Sequence, residues 1–291
     1  MKKFKILIPC YNDWKSIFKL LEKIDSEIEN LKNEFSVLIV NDGSTEKIDE
    51  VEKNYKNIKS VEIMNMKKNQ GHTRSNATGI RFLSQKKDFD YLIVMDADGE
   101  DRPEEIKLLV NKILNNQNKS VVAKRVKRSE GKFFEILYNI HKLITFIFTG
   151  ENMNFGHYTC LTKSDVDKIS TKKSLWCNFS GTLKKTIKQL DHIPCERGTR
   201  YVQPSKMSFV NLIIHSFSIL AVFKYRVLFR SILLFLLLLL TFPNPIIIFL
   251  QIMLILFVLM VFTISKRESE TGLANSINQI DNVISIKPNR L

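Results

Sequence analysis

No two of the four cysteines in this 291-residue chain are close neighbours. Cys10, Cys160, Cys177 and Cys195 form no CxxC pair. That excludes zinc-ribbon and thioredoxin-type sites and leaves four structural thiols suited to a reducing cytosolic face. A secretory leader is missing too. The apolar start from Phe4 to Cys10 is interrupted by Lys5 and runs into Pro-Cys-Tyr-Asn-Asp. It is too short and too polar for a leader core and reads as a first β-strand. There is no internal repeat. The zinc spacings, single-strand aromatic motifs and basic helices of nucleic-acid binders are also absent. A net charge of +14 therefore points to membrane phosphates and not to nucleic acid.

What is present divides the chain. Residues 1–200 are mixed and charged, whereas 227–264 are almost wholly apolar. Phe4–Pro9, Phe35–Val40, Ile58–Met64, Tyr91–Met95 and Ser120–Ala123 are short runs rich in Ile, Val and Leu. Between them, Trp14, Ile17, Leu21, Ile24, Ile28 and Leu31 recur at helical spacing, as do Ile106, Leu109, Val110, Ile113 and Leu114. Strands alternating with helices predict an α/β fold with a mostly parallel sheet covered on both faces. Phe133–Phe148 reads as an aromatic-rich helix inside this domain, taken as residues 1–204.

Residues 205–223 are apolar but dotted with Ser, Asn and His, the pattern of a helix lying in a membrane interface. Two apolar runs follow, Val227–Phe242 and Pro245–Ile264, within residues 224–265. The second has the roughly 20 residues a spanning helix needs. The first reaches that length only with Tyr225 and Arg226 at the interface and Arg230 snorkelling. Lys224, Arg226 and Arg230 precede the pair and Lys266 and Arg267 follow it, which puts both outer ends in the cytoplasm. A hairpin buried in a soluble core is the competing reading, and LLFLLLLL is too uniform for it. Residues 266–291 read as a loosely ordered polar cytoplasmic tail. The exposed apolar hairpin is compatible with a homo-oligomer.

Three strands end in polar signatures: Pro9-Cys-Tyr-Asn-Asp13, Asn41-Asp-Gly-Ser-Thr45 and Asp96-Ala-Asp-Gly-Glu100. In a parallel sheet they open onto one rim, where ligands bind. The last puts four acids into six positions, and like charges so close call for a cation. An EF-hand does not supply the reason. Counted from Asp96, the sixth residue is Asp101, not Gly, and the twelfth is Lys107, not Glu. Asp101 with Pro103 and Glu104 reads as a helix start.

With IPCYND, VNDGST, NQGH, DADGED, Arg125-x-x-Arg128, Arg200 before Ser205-Lys206-Met207 and the terminal apolar pair, residues 4–265 resemble the family 2 glycosyltransferases of GT-A fold. They look most like the branch that acts on polyprenyl phosphates, such as dolichol-phosphate mannosyltransferase and the bacterial undecaprenyl-phosphate glycosyltransferases. The resemblance implies a Rossmann-like catalytic domain, then an interfacial helix and a transmembrane hairpin at the inner membrane, with the active site facing the cytoplasm.

It further implies that Asp96 and Asp98, joined by Glu100, hold Mg²⁺ or Mn²⁺ against the diphosphate of a nucleotide sugar. Pro9, Tyr11 and Asp13 would lie beside the nucleotide, and Asp42 would meet base or ribose. Against this, Tyr11 also fits a rim aromatic and Asp42 a turn former. Gly71 would let the backbone pass close to the donor, and Arg74 would reach a phosphate or stay solvated. Arg125 and Arg128 would serve the reaction. Arg128, Arg200 and Lys206 would grip the phosphate of a polyprenyl acceptor, although a basic juxtamembrane run also suits anionic lipid.

Two departures stand out. In Gly156-His157-Tyr158 a histidine replaces the family's acid, so His157 would act as base or acceptor contact, or mark an altered site. Arg200-Tyr-Val-Gln-Pro-Ser-Lys206 lacks the branch's glycine. The implied activity is inverting, metal-dependent sugar transfer to a polyprenyl phosphate. A glycan or other lipid acceptor, a non-catalytic membrane scaffold and a soluble nucleotidyltransferase are the alternatives.

Overall fold

Alternating apolar strands and amphipathic helices build one sheet with a helical layer on each face. The computed structural model describes residues 1–46, 55–116, 119–127, 132–202, 208–242 and 244–286. In chain order the first half runs β1 (Lys3–Cys10), α1 (Trp14–Glu27), β2 (Glu34–Asn41), β3 (Ile58–Met66), α2 (His72–Ser84), β4 (Tyr91–Val94), α3 (Ile106–Asn115), β5 (Val121–Lys127) and α4 (Lys132–Thr149). The second half runs β6 (Phe155–Thr162), α5 (Lys163–Ser170), α6 (Phe179–Thr186), β7 (Asp191–Glu196), α7 (Phe209–Val222), α8 (Lys224–Leu239), α9 (Pro245–Ser265), α10 (Glu270–Ala274) and β8 (Ile280–Ile286).

The sheet order is β7-β5-β6-β4-β1-β2-β3-β8. Strands β4, β1, β2 and β3 are parallel, as are β5 and β7. Strand β6 is inserted antiparallel between β4 and β5, and β8 closes the edge antiparallel to β3. Successive residues of a strand point to opposite faces. Ile6 and Ile8 therefore pack with Ile17, Leu20, Leu109 and Ile113, while Leu7 packs with Ala77, Ile80 and Phe179 on the other face. Burial on both faces explains why the strands read as unbroken apolar runs. The four cysteines are free and buried.

The direction of β6 matters for function. Its first residues reach the rim where the parallel strands end. Val94 pairs with Thr159, a register that carries on to set residue 157 opposite residue 96.

The helices after β7 form a second apolar assembly. Leu220, Val227 and Val261 from α7, α8 and α9 pack together with Ile144 and Phe148 of α4. The Phe148 and Phe257 rings lie 4.5 Å apart. Helix α9 has 21 residues, a length of about 31 Å, and is apolar enough to cross a membrane. Helix α8 has 16 residues, so α9 alone among the described residues meets the length of a spanning helix.

Three expectations change. Arg230, read as snorkelling, donates to the carbonyls of Phe146 and Ile147, 3.3 and 2.7 Å away, and so satisfies the orphan end of α4. Helix α4 is not simply part of the catalytic domain. Ile136, Ile140, Leu143 and Ile147 are exposed at spacings of four, three and four, one apolar stripe on a single face. Residues 266–286 are not loose, because α10 and β8 return the chain to the sheet.

Candidate active site

The rim gathers the chemistry around the turn that follows β4. Gly99 has φ +88°, and a Cβ there would lie 2.5 Å from the Tyr201 ring, so only glycine fits the turn. Within the turn Asp98 accepts from the Glu100 N–H at 2.9 Å, and Asp101 accepts from the Asp96 N–H at 2.9 Å. Asp101 is thus a buried brace of the acid turn and not the helix cap expected of it. Its other oxygen faces the Arg125 guanidinium at 3.8 Å. Burial and the neighbouring Asp96 push its pKa up to about 8.

Asp96 looks toward imidazoles. The His72 Nε2 lies 2.8 Å from Asp96 Oδ1. His157, set opposite Asp96 by the strand register, meets the His72 ring edge-on at 4.7 Å and stacks on Phe179 at 5.4 Å. One ligand atom from each of His72, Asp96 and His157 lies within 4.8 Å of the others. Burial penalises the Asp96 charge, yet His72 and the more distant His157 and Arg125 bring its pKa below the usual carboxylate range. Burial acts against a charge on His72 as well, and the acids of the turn outweigh it, so its pKa is raised. His157 is pushed down to about 3 by burial and by His72, and is neutral at physiological pH.

Asp98 and Glu100 look the other way. After β7 the chain crosses the turn as a strap. The Gly198 N–H donates to Glu100 O and the Tyr201 N–H to Asp98 O, both at 2.9 Å. The strap brings Arg200 onto Asp98 and Glu100, and Arg197 onto Glu100. Even so, burial and the nearby Asp96 push Asp98 up to about 6. The expected trio of Asp96, Asp98 and Glu100 is therefore split in this structure, because two guanidiniums neutralise its second and third members. Arg200, expected at an acceptor phosphate, is one of them.

Other rim residues are placed as follows. Pro9 is buried within β1 opposite Val40, so it does not line the cleft as expected. Tyr11 is exposed and Asp13 half-buried at the start of α1, both open to the rim. Between them Asn12 (φ 49°) accepts from the Thr45 N–H at 2.8 Å and stitches the first two rim loops together. Asp42, expected to meet base or ribose, is buried, and its two oxygens accept from the Gln70 and Gly71 N–H groups at 2.9 and 2.8 Å. It fixes the turn at Gly71, where φ is +89° and no atom lies within 4 Å of an added Cβ. Arg74 points away from the acids and stacks over Trp176 at 5.3 Å. Arg128 and Lys206 lie outside the described residues.

Sequence reasoning missed His72 and Arg197. His72 had a usable signal, since it follows Gly71 at a helix start on this same rim.

A model of glycosyl transferase family 2 matches residues 5–179, more than half of the chain. The chain belongs to that family. Among curated members it is 27% identical over 166 residues to an undecaprenyl-phosphate 4-deoxy-4-formamido-L-arabinose transferase of Proteus mirabilis, covering 56% of this chain and 49% of that protein. A namesake from Salmonella choleraesuis is 26% identical over 221 residues, covering 73% and 65%. The chain thus spans about half to two thirds of these relatives. Among solved structures, mannosyl-3-phosphoglycerate synthase from Rubrobacter xylanophilus superposes with a TM-score of 0.56 at 14% identity, covering 84% of this chain and 78% of that one. Glucosyl-3-phosphoglycerate synthase from Mycobacterium tuberculosis, solved with Mn²⁺, UDP and glucosyl-3-phosphoglycerate, gives 0.51 at 14%, covering 77% and 80%. These neighbours share the GT-A fold.

Proposed function

We propose that this family 2 protein is a membrane-anchored glycosyltransferase that moves a sugar from a nucleotide-sugar donor to a polyprenyl phosphate of the undecaprenyl type, with inversion, at the cytoplasmic face of the inner membrane. The observation that carries this reading is the shared rim. The acid turn, two histidines and three arginines open beside helices whose apolar faces suit lipid.

The donor set fits a divalent ion. It combines carboxylates with imidazole, and the Asn76 Oδ1 beside His72 is buried without a partner. Asp96 and Asp98 would hold the ion, with Glu100 and the two histidines in reach. When bound, a divalent ion supplies charge stabilisation for the departing nucleoside diphosphate. Tyr11 and Asp13 are open to line the nucleotide side. Arg197 and Arg200 are within reach of anionic oxygen and would exchange carboxylate for phosphate as substrates arrive. A new bond forms between a lipid phosphate oxygen and the anomeric carbon, and the bond from that carbon to the donor's diphosphate oxygen breaks. The attacking oxygen is already ionised at neutral pH, so no strong general base is required and positioning carries the step. A neutral, buried His157 agrees with that.

Membrane placement rests on α9, on the stripe of α4 and on chain path. Strand β8 pairs with β3, and Lys224 pairs with Glu268 at 3.0 Å, so α8 leaves the catalytic domain and α9 returns to it. If α9 crosses the bilayer, its Pro245 end and the C-terminal end of α8 at Leu239 lie on the far side, and α8 crosses too.

The test is reconstitution in vesicles containing undecaprenyl phosphate, with a panel of nucleotide sugars and Mn²⁺ or Mg²⁺. Formation of a glycolipid is expected. Transfer to free saccharides alone would overturn the acceptor assignment, and absence of both transfer and nucleotide binding would overturn the enzyme reading.

A further inference from the structure

Two of the ligand atoms grouped around Asp96 are nitrogens, and neither belongs to the acid turn. We propose that His72 and His157 join Asp96 as ligands of one divalent cation, and that this centre therefore selects Mn²⁺ over Mg²⁺. The inference rests on the metal-dependent transferase reading and adds to it the ligand type and the identity of the ion.

The geometry is built from three separate parts of the fold. Asp96 follows β4, His157 comes from the inserted antiparallel strand β6, and His72 is the first residue of α2. The strand register sets His157 across from Asp96, and Phe179 holds its ring by stacking at 5.4 Å, with planes 17° apart. Among the described residues no side chain hydrogen-bonds the ring nitrogens of His157, although the residue is only 9% exposed. With one ring nitrogen grouped with ligand atoms of His72 and Asp96, it is placed to offer an electron pair to a cation. His72 is committed ambiguously. Its Nε2 faces Asp96 Oδ1 at 2.8 Å and the Asn76 Nδ2 at 3.5 Å. One nitrogen cannot donate to the carboxylate and accept from the amide at once. An electron pair shared with a cation removes that conflict and lets Asn76 turn its buried, unpartnered Oδ1 elsewhere.

Donor chemistry sets the choice of ion. Mg²⁺ prefers oxygen and gives up water reluctantly, whereas imidazole suits the first-row transition ions. An all-oxygen site drawn from Asp96, Asp98 and Glu100 would accept Mg²⁺ readily. A site that adds two imidazoles to its carboxylates would not. The partition of the acid turn agrees with this, since Asp98 and Glu100 are held by Arg200 and Arg197 while Asp96 alone faces the histidines.

The test uses the intact protein in detergent, without donor or acceptor. Mn²⁺ is added to protein carrying ¹⁴N- or ¹⁵N-labelled histidine, and electron spin-echo modulation from directly bound nitrogen is recorded. Modulation that changes with the label is expected, and its absence in protein that binds Mn²⁺ overturns the inference. Competition with Mg²⁺ provides a second reading. Mn²⁺ should bind on the order of 100-fold more tightly, and His72→Ala should weaken it by about 10–100-fold or more while moving Mg²⁺ little. Equal affinities for the two ions would contradict the proposal. Because neither measurement uses turnover, a nitrogen-bound Mn²⁺ with no glycolipid product would break the functional reading only. Glycolipid formed equally well with Mg²⁺, without nitrogen modulation, would break the inference only.

Discussion

Asp96 and Asp98 are two residues apart in one turn, yet they live in opposite halves of the site. The half around Asp96 is lined by imidazoles contributed by β6 and α2, and its carboxylate is ionised. The half around Asp98 and Glu100 is covered by the strap after β7, which brings two guanidiniums onto the acids. There Asp98 is nonetheless pushed up to about 6. The difference shows how one short acidic motif can carry two tasks. The imidazole half brings ligand atoms of His72, Asp96 and His157 within 4.8 Å of one another. In the guanidinium half each carboxylate already has a counter-charge, which has to move when an ion or a phosphate arrives. A turn of four acids is stable without its cation because half of it is neutralised from within.

Perturbing the two halves separately should break this symmetry in graded steps. Within the guanidinium half the largest effect is expected from Asp98→Asn, which removes a charge needed once the arginines have moved. Transfer should fall by roughly 10²–10³-fold, read as glycolipid per minute, with membrane insertion intact. Near-normal turnover would show that Asp98 serves only to hold Arg200. Next, Arg200→Ala should lower transfer by about 10–100-fold through lost grip on anionic oxygen, and Arg200→Lys should restore part of it. Faster transfer in Arg200→Ala would instead make the strap a brake.

A smaller effect concerns pH. Burial and His72 lower the His157 pKa from 6.5 to about 3. Between those values the unfolded chain takes up a proton that the folded chain refuses. The contribution is complete above pH 6.5 and is lost as pH falls toward 3, at about 1.4 kcal/mol per unit. In chelator, the melting temperature of the wild type should drop faster than that of His157→Asn between pH 6.5 and 5. Parallel curves would place a charge on His157 in the folded state. The smallest effect should come from outside both halves. Leu143→Glu on the exposed stripe of α4 should raise the KM for lipid acceptor about threefold and leave nucleotide binding alone, since one interfacial side chain contributes modestly to seating.

Much of the fold was legible because it follows from period and punctuation. The five early strands and the helices over Trp14–Glu27, Ile106–Asn115 and Lys132–Thr149 lie where the apolar spacing puts them, within a few residues. The inserted β6 was not legible, because its direction depends on the neighbours it pairs with. That one reversal is what delivers His157 to Asp96. Strand β8 was hidden because its apolar residues, Ile280, Val283, Ile284 and Ile286, are interrupted by Asp281, Asn282 and Ser285 and largely exposed, so backbone pairing with β3 imposes the strand. At the site, the acid turn announced itself through charge density alone. The buried task of Asp42 and the turn of Arg74 toward Trp176 did not, since side chains that look alike in sequence can face a ligand or the protein interior. The stripe on α4 was present in the spacing, but a core face and a membrane face carry the same pattern, and only the packing shows which side is left open.

The proposed transfer requires a divalent ion held at Asp96. The most direct measurement is a Mn²⁺ titration of Asp96→Asn alongside the wild type, followed by the vesicle assay on the same preparations. The variant is expected to insert and fold normally, to lose Mn²⁺ binding, and to make no glycolipid at ion concentrations that saturate the wild type. Mn²⁺ bound with unchanged affinity, or glycolipid formed at a comparable rate by Asp96→Asn, would contradict that requirement.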